Sequence, residues 1–135
     1  MTEPKWLSMT VVRAIHADQV REHGGRQGVR DEGLLESALD RPRNRFHYEP
    51  ASDVAALAAA YGFGIARNQP FVDGNKRVAF QAMYVFLGIN GSKLTAGEEA
   101  VVSLVVDLAA GNVTEEQLAA WLREHSVPNR NQITG

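Results

Sequence analysis

The residues best suited to chemistry stand together in one short run, "RNQPFVDGNKR", from Arg67 to Arg77. A carboxylate (Asp73), a glycine (Gly74), an amide (Asn75) and two adjacent cations (Lys76 and Arg77) follow one another directly. Glycine lets a ligand approach the backbone closely. An apolar helical pattern begins just after it, so the N–H groups of Gly74, Asn75 and Lys76 fall at a helix start. Unpaired donors and the positive end of a helix dipole favour phosphate there. Lys76 adds charge, and Arg77 can hold two phosphate oxygens at once. Asp73 would repel a bare phosphate unless a cation lay between them. Mg2+ takes one or two carboxylates together with phosphate oxygens. The cluster therefore predicts a metal-bound nucleotide, with Asp73 as the metal ligand. A plainer reading is a turn in which Asp73 caps the next helix and the cations are solvated. Gln69 stands where a proton acceptor would be useful, and an amide cannot serve as one.

The run lies between the two most apolar stretches of the chain, so the core should hold it rigidly, the usual layout of a site. The stretches before and after it read as helices. Ser8 can cap a first helix, 8–23, with Val12, Ile15 and Val20 near one face and Gly24 and Gly25 as its stop. "GGRQGVRDEG" is a loop. A short second helix runs from Asp31 or Glu32 to about Asp40, ended by Pro42. In "DRPRNRFHYEP", Arg41, Arg43 and Arg45 alternate, and period two predicts an extended flap. Those arginines could dock an acidic or extended target segment, or form a solvated basic loop. Ser52 and Asp53 open a helix that is apolar nearly all round and should be central and buried. Val78, Met83, Val85, Phe86 and Ile89 mark the buried side of the helix after the motif. Thr95 with Glu98 and Thr114 with Gln117 are two capping-box signatures. They predict helices through Ala110 and about His125, and a polar, frayed tail at 126–135.

Composition bounds the rest. The chain has 135 residues, 44% hydrophobic and 22% charged, which suits one domain with its own core. A net charge of -2 gives no general pull toward nucleic acid. With no cysteine, disulfides, thiol catalysis and Cys-based zinc sites are excluded. No targeting or membrane-spanning pattern is visible, so a soluble, cytoplasmic protein is expected. No His/Asp/Glu spacing suggests zinc. His16, His23 and His125 read as surface or packed residues, and His47 as the one that could approach the site.

"QPFVDGNKRVA" resembles the Fic/Doc family, whose signature is His-x-Phe-x-Asp/Glu-Gly/Ala-Asn-Gly/Lys-Arg. Every position matches except the first, where Gln69 replaces histidine. "HADQVREHGGRQGVRDEGLLESAL" is similar to the opening of the death-on-curing (Doc) toxin branch, and the likeness covers roughly 5–125. The resemblance implies a compact all-α bundle of about six helices with a short β-hairpin flap near 41–50. It implies that ATP or another nucleoside triphosphate binds with Mg2+ at Asp73, Gly74, Asn75, Lys76 and Arg77. Arg67 and Gln81 stand where relatives carry further polar site residues. The family's histidine is its general base, a role that falls on position 69. Lys76, where AMP-transferring members usually have glycine, points to transfer of the terminal phosphate. The resemblance further implies a toxin acting on elongation factor Tu and restrained by the C-terminal helix of a Phd-like antitoxin. With Gln69 the chain is expected to bind nucleotide but transfer poorly. Either the natural protein acts by binding alone, or histidine is native and glutamine was introduced. The otherwise intact motif favours the second.

Overall fold

The computed structural model describes residues 2–129. Its elements run α1 (Met9–His23), α2 (Glu32–Tyr48), α3 (Val54–Asn68), α4 (Asn75–Ile89), β1 (Ser92–Leu94), α5 (Glu98–Ala109), α6 (Glu115–Glu124) and β2 (Ser126–Pro128). Local chemistry sets most of the boundaries. The Ser8 side chain accepts from the Val11 N–H, Asp31 from Leu34, and Asp53 from Ala56. Gly24, at φ 83°, ends α1. Thr114 and Gln117 form the expected capping box.

The all-α bundle is built around α3, as its uniform apolarity predicts. From Ala55 to Ala66 every residue of α3 except Phe63 is buried, and it packs against α2, α4, α5 and α6. Small side chains let those helices come close. Gly64 lies against the α2 backbone, where an added Cβ would stand 3.3 Å from the Ala38 carbonyl oxygen. Val78, Met83 and Phe86 of α4 are buried as expected, but Ile89 is exposed.

The 41–50 segment corrects the flap expectation. It is not a β-hairpin: α2 runs through Pro42 to Tyr48. Proline removes the hydrogen bond to the Ala38 carbonyl and normally ends or kinks a helix. Here packing overrides that cost. Leu35, Ala38, Leu39 and Pro42 are buried at helical spacing, and Arg45 and Phe46 continue the same face. Arg41 and Arg45, four apart, both reach the buried Glu115 of α6, at 2.7 and 2.6 Å. Arg43 points elsewhere, over the Trp6 ring at 5.7 Å. The three arginines therefore share no strand face for a target segment.

The two-stranded antiparallel sheet lies instead between β1 and β2, with Lys93 opposite Val127. It takes up part of the expected frayed tail. The end of that tail, 130–135, lies outside the described residues. Thr95 does not cap α5. Its hydroxyl donates to the His125 carbonyl at 3.0 Å, and Gly97 is the N-cap. No helix among the described residues is long and apolar enough to cross a membrane.

Candidate active site

The motif loop leaves α3 at Gln69 and enters α4 at Gly74. Both are left-handed, Gln69 at φ 48° and Gly74 at φ 80°. Gln69 is the one non-glycine with positive φ among the described residues. Between these two turns Pro70 and Phe71 are buried and anchor the loop, while Val72 is exposed.

A second segment, 24–31, lies along the loop and fixes its shape. The Pro70 carbonyl accepts from the N–H groups of Arg30 and Asp31 at 2.7 and 3.1 Å, and Val72 donates to the Gly28 carbonyl at 3.1 Å. Val29 and Phe71 form an antiparallel bridge. The Arg30 guanidinium donates to the Asn68 and Gln69 carbonyls, each at 2.9 Å, which satisfies the end of α3 and complements its dipole. The Arg26 N–H donates to Asp73 Oδ2 at 2.8 Å. From α1, the buried His16 ring stacks on Phe71, with centroids 4.0 Å apart, and its Nε2 meets the Asp73 carbonyl at 2.9 Å.

Asn75 has an inward role. Its Oδ1 accepts from the Phe71 N–H at 2.9 Å and its Nδ2 donates to the Phe71 carbonyl at 3.0 Å. It staples the loop, so its side chain is already committed and only its backbone N–H is open to a ligand. α4 begins with no side-chain cap. The first N–H groups of a helix have no partner within it, and the residues that carry them, Gly74, Asn75 and Lys76, line a cleft. Lys76 and Arg77 are exposed beside them, with no carboxylate partner among the described residues.

These groups line one side of a cleft of about 770 Å³. Gln69, Asp73, Gly74, Asn75, Lys76, Arg77 and Gln81 all reach it. Arg67 does not. It lies on α3 with its guanidinium over the Phe63 ring at 5.3 Å, and Arg41 lies over the same ring at 4.9 Å. His47 is also elsewhere, in a separate cleft of about 290 Å³ with Trp6 and Arg43. The facing wall went unread in the sequence: Val101, Val102, Val105 and Val106 of α5, with Glu98 at its start and Gln19 and His23 of α1 nearby. Val102 and Val106 are exposed valines beside the buried Val101, Leu104, Val105 and Leu108, a signal visible only once α5 is placed. His16 was legible in part, because position 16 shares a helix face with Val12 and Val20, both buried.

The donor set fits the predicted ligand class. One Asp73 oxygen is taken by Arg26, and the other has no partner among the described residues. That leaves one ligand for Mg2+, which accepts few carboxylates and takes its other oxygens from phosphate and water. No three His, Asp or Glu residues gather into a metal cage among the described residues.

Fold and loop together define a small, mainly helical domain in which an uncapped helix start and two cations share a cleft with valines of α5. A model of the Fic/DOC family matches residues 6–87, and the chain belongs to that family. It is 32% identical over 110 residues to "Protein kinase doc" of Escherichia phage P1, a match spanning 82% of this chain and 86% of that protein. It is 45% identical over 74 residues to "Toxin Doc" of Mycolicibacterium smegmatis, spanning 54% of this chain and 57% of that one.

Proposed function

We propose that this chain is a Doc-like toxin. Its site is built to transfer the terminal phosphate of a nucleoside triphosphate to a hydroxyl of a translation factor of the elongation factor Tu class. The supporting observation is the cleft itself, where Asp73, Lys76, Arg77 and the open end of α4 share one side with Gln69. The residues take distinct roles. Arg77 and the first N–H groups of α4 bind phosphate oxygens, and Lys76 offsets charge on the transferred group. Asp73 would hold Mg2+, which would supply charge to screen the phosphates. The target oxygen attacks the terminal phosphorus, and the bond to the nucleoside diphosphate breaks. The hydroxyl proton then needs an acceptor. Gln69 can orient the hydroxyl but cannot take its proton, and general-base catalysis contributes about 10²–10⁴-fold. The chain as it stands therefore binds nucleotide and transfers poorly. Histidine as the native residue accounts best for a site intact in every other part. Kinship with a protein kinase and a toxin supports both the reaction class and an antitoxin partner.

A paired assay tests this reading. The chain and its Gln69→His variant are incubated with Mg2+, elongation factor Tu and ATP labelled at the α or the γ phosphate. Transfer of γ label by the histidine variant alone is expected. Transfer of α label would move the protein to the AMP-transferring class. Nucleotide binding with no transfer by either form would make it a binding module.

A further inference from the structure

His16 is a buried imidazole (3% exposed) that the proposed reaction does not employ. It lies on α1, 57 residues before Asp73 in sequence, yet touches the motif loop twice. Its ring is nearly parallel to Phe71, at 9° and 4.0 Å between centroids. Its Nε2 stands 2.9 Å from the Asp73 carbonyl oxygen. A carbonyl only accepts, so Nε2 carries the proton and donates.

We propose that His16 is a positioning residue that sets the direction of the Asp73–Gly74 peptide and so aims the Gly74 N–H into the cleft. A trans peptide is planar, and its C=O and N–H point opposite ways. Holding the Asp73 carbonyl toward α1 therefore turns the Gly74 N–H toward the other side. That N–H has no partner among the described residues, and Gly74 lines the cleft. Control from outside is needed there. Gly74 has φ 80°, and an added Cβ would meet nothing closer than 3.6 Å, so neither side chain nor crowding fixes the peptide. Glycine next to a peptide bond makes it easy to turn over. Arg26 holds the Asp73 carboxylate and Asn75 holds Phe71, but among the described residues the Asp73 carbonyl has only His16 as a partner. The ring stack fixes the imidazole plane, and the hydrogen bond converts that plane into a peptide orientation. The consequence for ligand binding rests on the proposed phosphate site, whereas the orientation does not.

The test compares His16→Phe, which keeps a flat ring over Phe71 without the donor, with His16→Gln, which keeps a donor at similar reach. Residual dipolar couplings read the Gly74 N–H direction in ligand-free protein, and thermal unfolding confirms that each variant is folded. Magnesium with inorganic triphosphate is then titrated against each. The direction should be the same in the parent and the glutamine variant and different in the phenylalanine variant. Triphosphate binding should weaken about tenfold in His16→Phe and be largely restored in His16→Gln, the size expected for one hydrogen bond to a charged ligand. An unchanged N–H direction in folded His16→Phe overturns the proposal, whatever the protein binds. If the direction changes but the parent binds no triphosphate, the positioning role stands and the phosphate-site reading fails. Should His16→Phe not fold, a changed direction in folded His16→Leu supports the proposal and an unchanged one overturns it.

Discussion

At the scale of single residues, Gln69 and Asn75 separate site chemistry from stability. Gln69 is exposed and holds a left-handed backbone conformation, which costs a non-glycine residue about 1 kcal/mol or more. Replacing it with glycine should raise stability by about 1 kcal/mol in urea unfolding, although it deletes a side chain of the candidate site. No gain would mean that the Gln69 side chain compensates its own backbone. Asn75 is the opposite case. Asn75→Ala leaves the Phe71 N–H and C=O without partners in a half-buried turn, at about 1–3 kcal/mol. It should also weaken triphosphate binding, measured by calorimetry, because the loop loses its staple. Unchanged unfolding would return Asn75 to the role of direct phosphate ligand suggested by its type.

Among the elements, α2 and α3 show how packing decides what propensity leaves open. Pro42 lies well inside α2, and the helix persists because its buried face continues to Phe46 and because Arg41 and Arg45 converge on Glu115. Glu115→Ala would strand two arginines, one of them largely covered, and should destabilise by about 2 kcal/mol, less than a fully buried pair because Arg41 stays partly in water. The close approach of α2 to α3 gives a second expectation. Gly64→Ala puts a methyl against the Ala38 backbone, which cannot move aside as a side chain can. A loss of about 1–3 kcal/mol in denaturant unfolding is expected. A neutral result would show that the two helices slide apart without penalty.

For the whole molecule, pH reports how the N-terminal segment is tied to the core. Tyr61 is fully buried on α3, and its hydroxyl accepts from the Leu7 N–H at 2.9 Å. Burial pushes its pKa up to about 12, from the ordinary 10.0. The folded state therefore keeps a proton that the unfolded chain releases. The stabilisation is complete below about pH 10 and is lost as pH rises toward 12. Tyr61→Phe should be less stable at neutral pH, with the Leu7 N–H unpaired, but should lose less further stability across that alkaline window. Parallel slopes for both proteins would contradict it. Asp53 behaves in the opposite sense. Its bond to Arg123 of α6 holds its carboxyl below the usual range, so its contribution is present at neutral pH and falls away in acid.

Short stretches of sequence suffice to read the helix caps, the buried central helix and the motif loop. Each depends on a few neighbouring residues: Ser8, Asp31, Asp53, and the Thr114–Gln117 pair at helix starts, the apolar run of 54–66, and the run from Gln69 to Arg77. The rest depends on contacts between residues far apart in the chain. The 41–50 segment could be read as strand because proline and alternating arginines outweigh the helical period locally, and only Glu115, seventy or more residues away, shows which reading packs. Thr95 carries the signature of a cap but is drawn to His125 by the β1–β2 pairing. The valine wall of the cleft and the hold of His16 on Asp73 are contacts between distant parts of the chain. Hydrogen bonds and burial across such distances leave no local pattern, so nothing short of the folded packing specifies them.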